Sequence, residues 1–219
     1  MAYYALGDSI SIDDYAGGPG LGAASLLADD FGIDLTLLAR DGATSDDVVR
    51  FQLDKVEGRP ALITLTMGGN DLLTTLFTPA GAGLPPDRDA AERTVARVAA
   101  NYAVALPALT ATGARVVVST VYDPTDGTGD LSRVGLPAWQ GGLAVLAALN
   151  DAIRDAADRH GAVVADLHAA FLGHGAAAGD ITGTDPRPGN RDLWLCGHIE
   201  PNAWGAEAVR NTWRAALRD

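Results

Sequence analysis

The chain has 219 residues, of which 47% are hydrophobic and 20% are charged, so a sizeable core is available and wholesale disorder is excluded. The length suits one α/β domain that spans residues 1–219. There are 28 acidic and 16 basic side chains, and the resulting net charge of −12 disfavours nucleic acid and anionic membranes as partners.

Cysteine and histidine content limits the possible chemistry further. The single Cys196 excludes an intramolecular disulfide and a multi-thiolate metal site, and the four histidines form no His-x-x-x-His pair. We therefore expect neither a metal ion nor an organic cofactor. The N-terminus lacks a basic segment followed by an apolar run, and no stretch of about 18 apolar residues occurs. These features predict a cytoplasmic protein without a membrane span.

Short β-type runs alternate with alanine-rich helical stretches along the chain. In chain order the pattern predicts a strand at 2–6, a helix at 21–31, a strand at 33–39, a helix at 45–54, a strand at 61–66 and a loop at 79–86. It continues with a helix at 89–112, a strand at 114–121, a loop at 123–135, a helix at 138–159, a strand at 162–167 and a loop at 173–200. A closing helix is predicted from Pro201, as its first residue, to about residue 217. Five strands alternating with helices indicate a parallel sheet covered on both faces, a three-layer α/β/α fold.

Polar residues follow each of the first three predicted strands. The segments are Gly-Asp-Ser-Ile at 7–10, Gly-Ala-Thr at 42–44 and Gly-Gly-Asn-Asp at 68–71. Because the carboxyl ends of parallel strands meet at one edge of a sheet, we expect these segments to converge. The Ser9 hydroxyl is then placed as a nucleophile, and the N–H groups of Ser9 and Gly42 with the amide of Asn70 suit an oxyanion hole. The structural alternatives are that Ser9 and Asn70 only cap helices and that Gly42 only forms a turn.

In order, spacing and strand context, the three segments resemble the sequence blocks of the GDSL, or SGNH, hydrolase family. The resemblance extends over nearly the whole chain and implies a flavodoxin-like, five-stranded parallel sheet. It also implies a serine esterase or acyl hydrolase that cleaves a small-molecule ester through an acyl-enzyme on Ser9, without a cofactor. Two alternatives stay open, namely an acyltransferase that uses the same site and a catalytically silent domain that binds an acylated or glycan ligand.

The last block of the family, Asp-x-x-His-Pro-Asn-x-x-Gly, is only partly matched. This block supplies the catalytic base and the acid that orients it, and here the Pro-Asn-x-x-Gly part is present at 201–205. However, Glu200 directly precedes the proline, His198 lies two residues earlier, and Leu195 stands where an aspartate would orient His198. The chain therefore departs from the family at the residue on which the chemistry depends.

Three assignments of the base follow from this departure. We favour His198, oriented by Asp192 or by a backbone carbonyl near residues 194–195. Alternatively, Glu200 occupies the usual histidine place and acts as base or charge partner, which requires burial to raise its pKa. In the third assignment another histidine, His174 ahead of His168, serves as the base, or no working triad exists. The sequence makes no prediction of oligomeric state.

Overall fold

A five-stranded parallel sheet forms the centre of the protein. The computed structural model describes residues 1–84, 87–183, 185 and 187–218. The strands are β1 (Ala2–Leu6), β2 (Asp34–Leu37), β3 (Leu62–Leu65), β4 (Arg115–Ser119) and β5 (Val163–Ala165). They lie in the order β2-β1-β3-β4-β5, and each neighbouring pair is parallel. This is the predicted flavodoxin-like order, in which a crevice opens between the loops that follow β1 and β3.

Helices cover both faces of the sheet and complete the predicted three-layer α/β/α fold. They are α1 (Ala23–Phe31), α2 (Ser45–Asp47), α3 (Gly69–Gly81), α4 (Arg88–Thr110), α5 (Gly142–His160), α6 (Leu167–Phe171) and α7 (Ala203–Ala216). A small antiparallel hairpin is formed by β6 (Leu195–Cys196) and β7 (Glu200–Pro201). Within the described ranges, no helix combines the length and the apolarity that a bilayer-spanning helix requires.

Two cores lie on opposite faces of the sheet because successive strand residues point to opposite sides. Tyr3 belongs to the core that α1 and α7 cover, whereas Leu6 belongs to the core under α4 and α5. All four residues of β3 are buried, as expected of a central strand with a layer on each face. The packing therefore fixes the carboxyl ends of β1 and β3 side by side.

Several predicted elements differ in extent or type. The segment 45–54 is not one regular helix, because the short α2 is followed by a π-helical turn (Val48–Gln52) and a 3₁₀ turn (Leu53–Lys55). The wider π-helical turn carries Gln52, whose side-chain amide is bonded to the loop after β1. The helix thus departs from regular α-helical geometry at the turn where Gln52 bonds to the loop after β1.

Predictions for the loops need correction as well. Helix α3 continues to Gly81 and so takes up the first part of the predicted loop at 79–86, of which residues 85 and 86 lie outside the described residues. Helix α5 begins at Gly142 rather than at 138. The predicted loop at 173–200 contains strand β6 and the first residue of β7, and its residues 184 and 186 are not among those described.

The start of the closing helix is also different from the prediction. Pro201 does not begin that helix, because it pairs with Leu195 in the β6–β7 hairpin. Asn202 is the cap instead, and its side chain accepts hydrogen bonds from the N–H groups of Trp204 (2.9 Å) and Gly205 (3.1 Å). An asparagine that satisfies two free N–H groups begins the helix more effectively than proline, which has no side-chain acceptor.

Candidate active site

The loop after β1 is fixed by hydrogen bonds on both sides. The Gly7 N–H donates to the Gln52 side-chain oxygen (2.7 Å), and the Gln52 amide donates back to the Gly7 carbonyl (2.9 Å). Gly7 has a φ of +123°, and a Cβ added there would lie 1.8 Å from the Thr66 carbonyl oxygen, so only glycine fits. Asp8 then caps a 3₁₀ turn that begins at Ser9. Packing therefore holds the buried Ser9 at the carboxyl edge of the sheet.

The two predicted oxyanion donors beyond β2 and β3 lie next to each other. The Asn70 side-chain amide donates to the carbonyl of Ala43 (3.0 Å), which is the residue after Gly42. Gly42 adopts a φ of +70° in the turn that follows β2. Among the described residues, no protein acceptor bonds the backbone N–H of Ser9 or Gly42, so both donors are available to a substrate oxygen.

Glu200 faces Ser9 from strand β7. Both residues line one cavity, and β7 packs on the turn that begins at Ser9, although no hydrogen bond joins the two side chains among the described residues. Burial raises the pKa of Glu200, the contact with Ser9 opposes this shift, and the charge of Asp41 adds to it. Catalytic contacts in ligand-free enzymes are often loose and tighten when substrate binds. Glu200, which stands in the usual histidine place of the last block, therefore lies beside the predicted nucleophile.

A second buried carboxyl group stands beside this pair. Burial raises the pKa of Asp8 to about 7; hydrogen bonds from Thr66 and Ile10 lower it, and the nearby charge of Glu200 raises it. The Asp8 side chain accepts the Ile10 N–H at 3.2 Å, which orders the turn that carries Ser9. Two carboxyl groups in one buried site make it unfavourable for both to be ionised.

His198 lies in a different direction. Its Nδ1 is 2.8 Å from the carbonyl oxygen of Val134, and its ring packs so closely on Gly135 that an added Cβ would come within 2.6 Å of Nδ1. The side chain is exposed and contacts the loop after β4 rather than Ser9. As the protein stands, His198 joins the β6–β7 hairpin to that loop.

The remaining base candidates are engaged in contacts away from Ser9. His174 Nδ1 is 2.8 Å from the carbonyl oxygen of Asp192, and the His174 ring stacks on Trp194 with centroids 3.5 Å apart. His168 lies on α6, where its backbone N–H donates to the Thr120 hydroxyl at 2.9 Å. Asp192 thus meets His174 through its backbone, and none of the described hydrogen bonds joins these residues to Ser9 or Glu200.

One residue of the site was not foreseen from the sequence. Tyr122 follows β4, and its buried hydroxyl donates to the carbonyl of Ile199, the residue immediately before Glu200. Its ring stacks on Phe171 with a centroid separation of 4.3 Å. The available signal was an aromatic residue just beyond a buried strand on the active edge of the sheet. Tyr122 therefore ties the backbone that carries Glu200 to the loop after β4.

An apolar cavity of about 120 Å³ opens beside Ser9. Ser9, Asn70 and Glu200 line it together with apolar residues of α3, α5 and the loop between β4 and α5, which are Leu72, Leu73, Leu76, Val121, Leu131, Leu136, Trp139, Leu143 and Leu146. In the described part of the chain, no group of three or more His, Cys, Asp or Glu side chains is arranged to hold a metal ion. The site thus combines a hydroxyl, a carboxyl, free N–H donors and an apolar space.

Comparison with known proteins identifies the family and the fold. The sequence model of the GDSL-like Lipase/Acylhydrolase family matches residues 5–208. A search of curated proteins finds no match. Three similar solved structures are a phospholipase A1 from Streptomyces albidoflavus NA297 (23% identity, 98% of both chains, TM-score 0.62), an extracellular lipase from Streptomyces rimosus (21%, 99% of both chains, 0.62) and the acetyl xylan esterase AlAXEase (19%, 99% of this chain and 100% of that one, 0.67). At these identities the structures establish the shared fold.

Proposed function

This chain belongs to the GDSL-like lipase/acylhydrolase family, and we propose that it cleaves carboxylic esters through an acyl-enzyme on Ser9 with Glu200 as the base. The observation that carries the proposal is that Ser9 and Glu200 line the same cavity at the carboxyl edge of the sheet, where burial raises the pKa of Glu200. The same cavity wall includes Asn70, whose amide supplies a donor for the substrate oxygen.

In the proposed first step the Ser9 oxygen attacks the ester carbonyl while Glu200 takes the hydroxyl proton. Glu200 becomes a neutral acid, the form that burial favours, so the raised pKa of Glu200 assists proton uptake. The negative charge moves to the carbonyl oxygen, where the N–H groups of Ser9 and Gly42 and the amide of Asn70 stabilise it. Each such donor contributes about 3 to 4 kcal/mol in the transition state.

The second half of the reaction uses the same groups in reverse. Glu200 returns its proton to the departing alcohol, which leaves the acyl group on Ser9. Glu200, again ionised, then takes a proton from the water that attacks the acyl-enzyme, and the Ser9 oxygen departs with that proton. No step requires a metal ion or an organic cofactor.

We place Glu200 ahead of His198, the base that the sequence alone favours. His198 would have to give up its contact with the Val134 carbonyl before its ring could turn towards Ser9. His174 is further disfavoured because it is stacked on Trp194 and bonded to the Asp192 carbonyl. The proposal therefore rests on a serine and a glutamate rather than on an imidazole.

Hydrolysis of p-nitrophenyl acetate and butyrate by matched variants tests this assignment. We expect Ser9→Ala and Glu200→Gln each to lower kcat by a factor on the order of 10³ or more, because both remove a group that acts in the transition state. His198→Ala should retain kcat within about tenfold of the wild type, since its side chain only supports the hairpin. His160→Ala, a change at the last residue of α5, is the control for handling and folding.

Two results would contradict the proposal in different ways. Loss of activity in His198→Ala with near-normal turnover in Glu200→Gln would return the role of base to His198. An inactive wild-type protein, or an unchanged rate in Ser9→Ala, would favour the catalytically silent alternative or another nucleophile. Near-ultraviolet circular dichroism of each variant separates loss of chemistry from loss of fold.

A further inference from the structure

Trp139 lies between two apolar spaces. The first is the cavity of about 120 Å³ beside Ser9, and the second is an open groove of about 710 Å³ between α4 and α5. Trp139 is the one residue, among those described, that lines both spaces. The side chain is partly buried and packs against both cores of the protein. It therefore forms a partition between the active-site cavity and the groove.

The first turns of α5 continue this partition. Leu143 and Leu146 line the cavity, whereas Ala144, Val145 and Ala148 line the groove, as expected for opposite faces of one helix. Because α5 begins only at Gly142, Trp139 stands in the turn just before the helix, where no helical backbone separates the two spaces. The partition at this point is thus a single side chain.

We propose that the cavity binds the acyl group of the ester and that Trp139 limits its length to about four to six carbons. This inference rests on the proposed function, because the acyl carbonyl must sit at Ser9. Most of the cavity lining is apolar and includes Leu76 and Leu146. Its polar residues are Asp8, Ser9, Asn70, Asp123, Thr125 and Glu200. A chain that starts at the carbonyl therefore extends along mainly apolar walls.

The size of the cavity sets the expected length. An apolar protein cavity of about 150 Å³ binds benzene, a six-carbon ligand, so about 120 Å³ accommodates an acyl chain of similar or slightly smaller size. Each methylene that the cavity removes from water should raise kcat/KM by about fourfold. The gain ends where the chain meets Trp139, because a longer chain must displace the indole or stay in solvent.

The groove on the other side of Trp139 could hold a longer chain if the indole were absent. Five alanines line it, which are Ala91, Ala96, Ala99, Ala144 and Ala148, and Arg88, Glu92 and Gln140 are its polar lining residues. Replacing Trp139 by alanine would join the cavity to this groove and give a continuous path from Ser9 along these alanines. The small alanine side chains leave room for an alkyl chain that packs against them.

The test is the chain-length profile of kcat/KM for p-nitrophenyl esters from acetate to dodecanoate. We expect the wild type to be most active on butyrate or hexanoate, and Trp139→Ala to raise the decanoate-to-hexanoate ratio by at least tenfold. Trp139→Phe, which keeps an aromatic partition, should retain the wild-type optimum. In the Trp139→Ala background, Ala148→Leu should refill the groove and remove the gain, while Ala148→Leu alone leaves the profile unchanged.

A second variant and a binding measurement keep the proposal testable if Trp139→Ala does not fold or if the esters are not cleaved. Leu146→Phe narrows the cavity from within and should shorten the preferred acyl chain by two or more carbons.

The binding measurement is calorimetry on Ser9→Ala. This variant should bind 1-hexanol, and it should bind 1-decanol only when Trp139→Ala is added. Hydrolysis of acetate, which barely enters the cavity, reports the proposed function separately. A profile and alkanol binding that are the same in the wild type and in Trp139→Ala would overturn the inference.

Discussion

At the scale of single residues, Asp71 links the two loops that carry the oxyanion donors. Its carboxylate is fully buried and accepts hydrogen bonds from the Ser45 N–H (2.8 Å), the Ser45 hydroxyl (2.9 Å) and the Arg97 guanidinium (3.0 Å). Ser45 belongs to the segment after Gly42, and Asp71 itself follows Asn70 in α3. Asp71 therefore holds the distance between the two donors without contacting the substrate.

We expect Asp71→Ala to lower the free energy of unfolding by about 3 kcal/mol, since it leaves the buried Ser45 N–H and hydroxyl without an acceptor. In protein that remains folded, kcat should fall more than tenfold because Asn70 and Gly42 lose their relative placement. Urea denaturation and ester hydrolysis measure the two effects.

The control for this variant is Asp46→Ala. Asp46 also meets Arg97, at 3.8 Å, but both side chains are more than a third exposed, and exposed pairs contribute about 1 kcal/mol or less. Asp46 in addition accepts a hydrogen bond from Asn101, so a small loss of stability is expected, with kcat retained. Equal effects of the two variants would show that Asp71 contributes no more to stability and catalysis than an exposed ion pair does.

The residue scale also shows where inference from sequence succeeds. Ser9 and Asn70 follow strands that the hydrophobic pattern predicts well, and parallel strands bring their carboxyl ends together. The choice between His198 and Glu200 could not be made in this way. Two residues separate them, and the direction of each side chain depends on a turn at Gly197, with a φ of +68°, that no periodic pattern predicts.

At the scale of elements, the β6–β7 hairpin positions the proposed base. Each strand is only two residues long, so it is too short to show the alternation of apolar and polar residues that predicts a strand. For this reason the sequence predicts a loop there. Two contacts with the loop after β4 hold the hairpin, one from His198 to Val134 and one from Tyr122 to Ile199. The second adjoins Glu200 and is buried, so it should matter more for catalysis.

Tyr122→Phe tests the hairpin as a positioning element. The change removes the hydrogen bond to the Ile199 carbonyl but keeps the ring that stacks on Phe171 and lines the cavity. We expect kcat for acetate to fall by about tenfold while KM changes less than threefold, because Glu200 is misplaced for proton transfer and the acyl cavity is intact. Steady-state kinetics separate the two constants.

Tyr3→Phe provides the matched comparison. It also removes a buried tyrosine hydroxyl, bonded at 2.7 Å to Thr64 within the sheet, and should cost about 1 kcal/mol of stability with kcat unchanged. If Tyr122→Phe behaved like Tyr3→Phe in both respects, the Tyr122 hydroxyl would have only a structural role.

At the scale of the whole molecule, strand order explains why the polar segments meet. The crevice between the loops after β1 and β3 is where the sheet order changes direction, and Ser9 and Asn70 stand on its two sides. The sequence predicts this sheet because the five β-type runs are separated by helical stretches long enough for parallel crossovers. It does not predict the cavity, which α3, α5 and the loop after β4 form together through contacts distant in sequence.

Stability of the whole protein should depend on pH through Asp8. Burial raises its pKa to about 7 in the folded protein, against 3.8 for an ordinary aspartate. A raised pKa means that the folded state binds the proton more tightly than the unfolded chain does. Protonated Asp8 therefore contributes its full stabilisation of the folded state below about pH 4, and this contribution is lost as the pH rises through about 7. Between pH 5 and pH 8 the titration of Asp8 lowers the free energy of unfolding by about 2 to 3 kcal/mol.

Asp8→Asn isolates this contribution from the other titrating groups of a protein with a net charge of −12. The amide keeps the shape of the carboxyl group and an acceptor for the Ile10 N–H, but it does not ionise. We expect the free energy of unfolding of Asp8→Asn, relative to wild type, to increase by about 2 to 3 kcal/mol from pH 5 to pH 8. Urea denaturation at the two pH values measures this difference. For the control Asp34→Asn, at a side chain that is 96% exposed, the free energy of unfolding relative to wild type should differ between the two pH values by no more than about 0.5 kcal/mol. The same relative stability of Asp8→Asn at both pH values would mean that Asp8 is already ionised at pH 5, and that its burial beside Glu200 does not hold the proton.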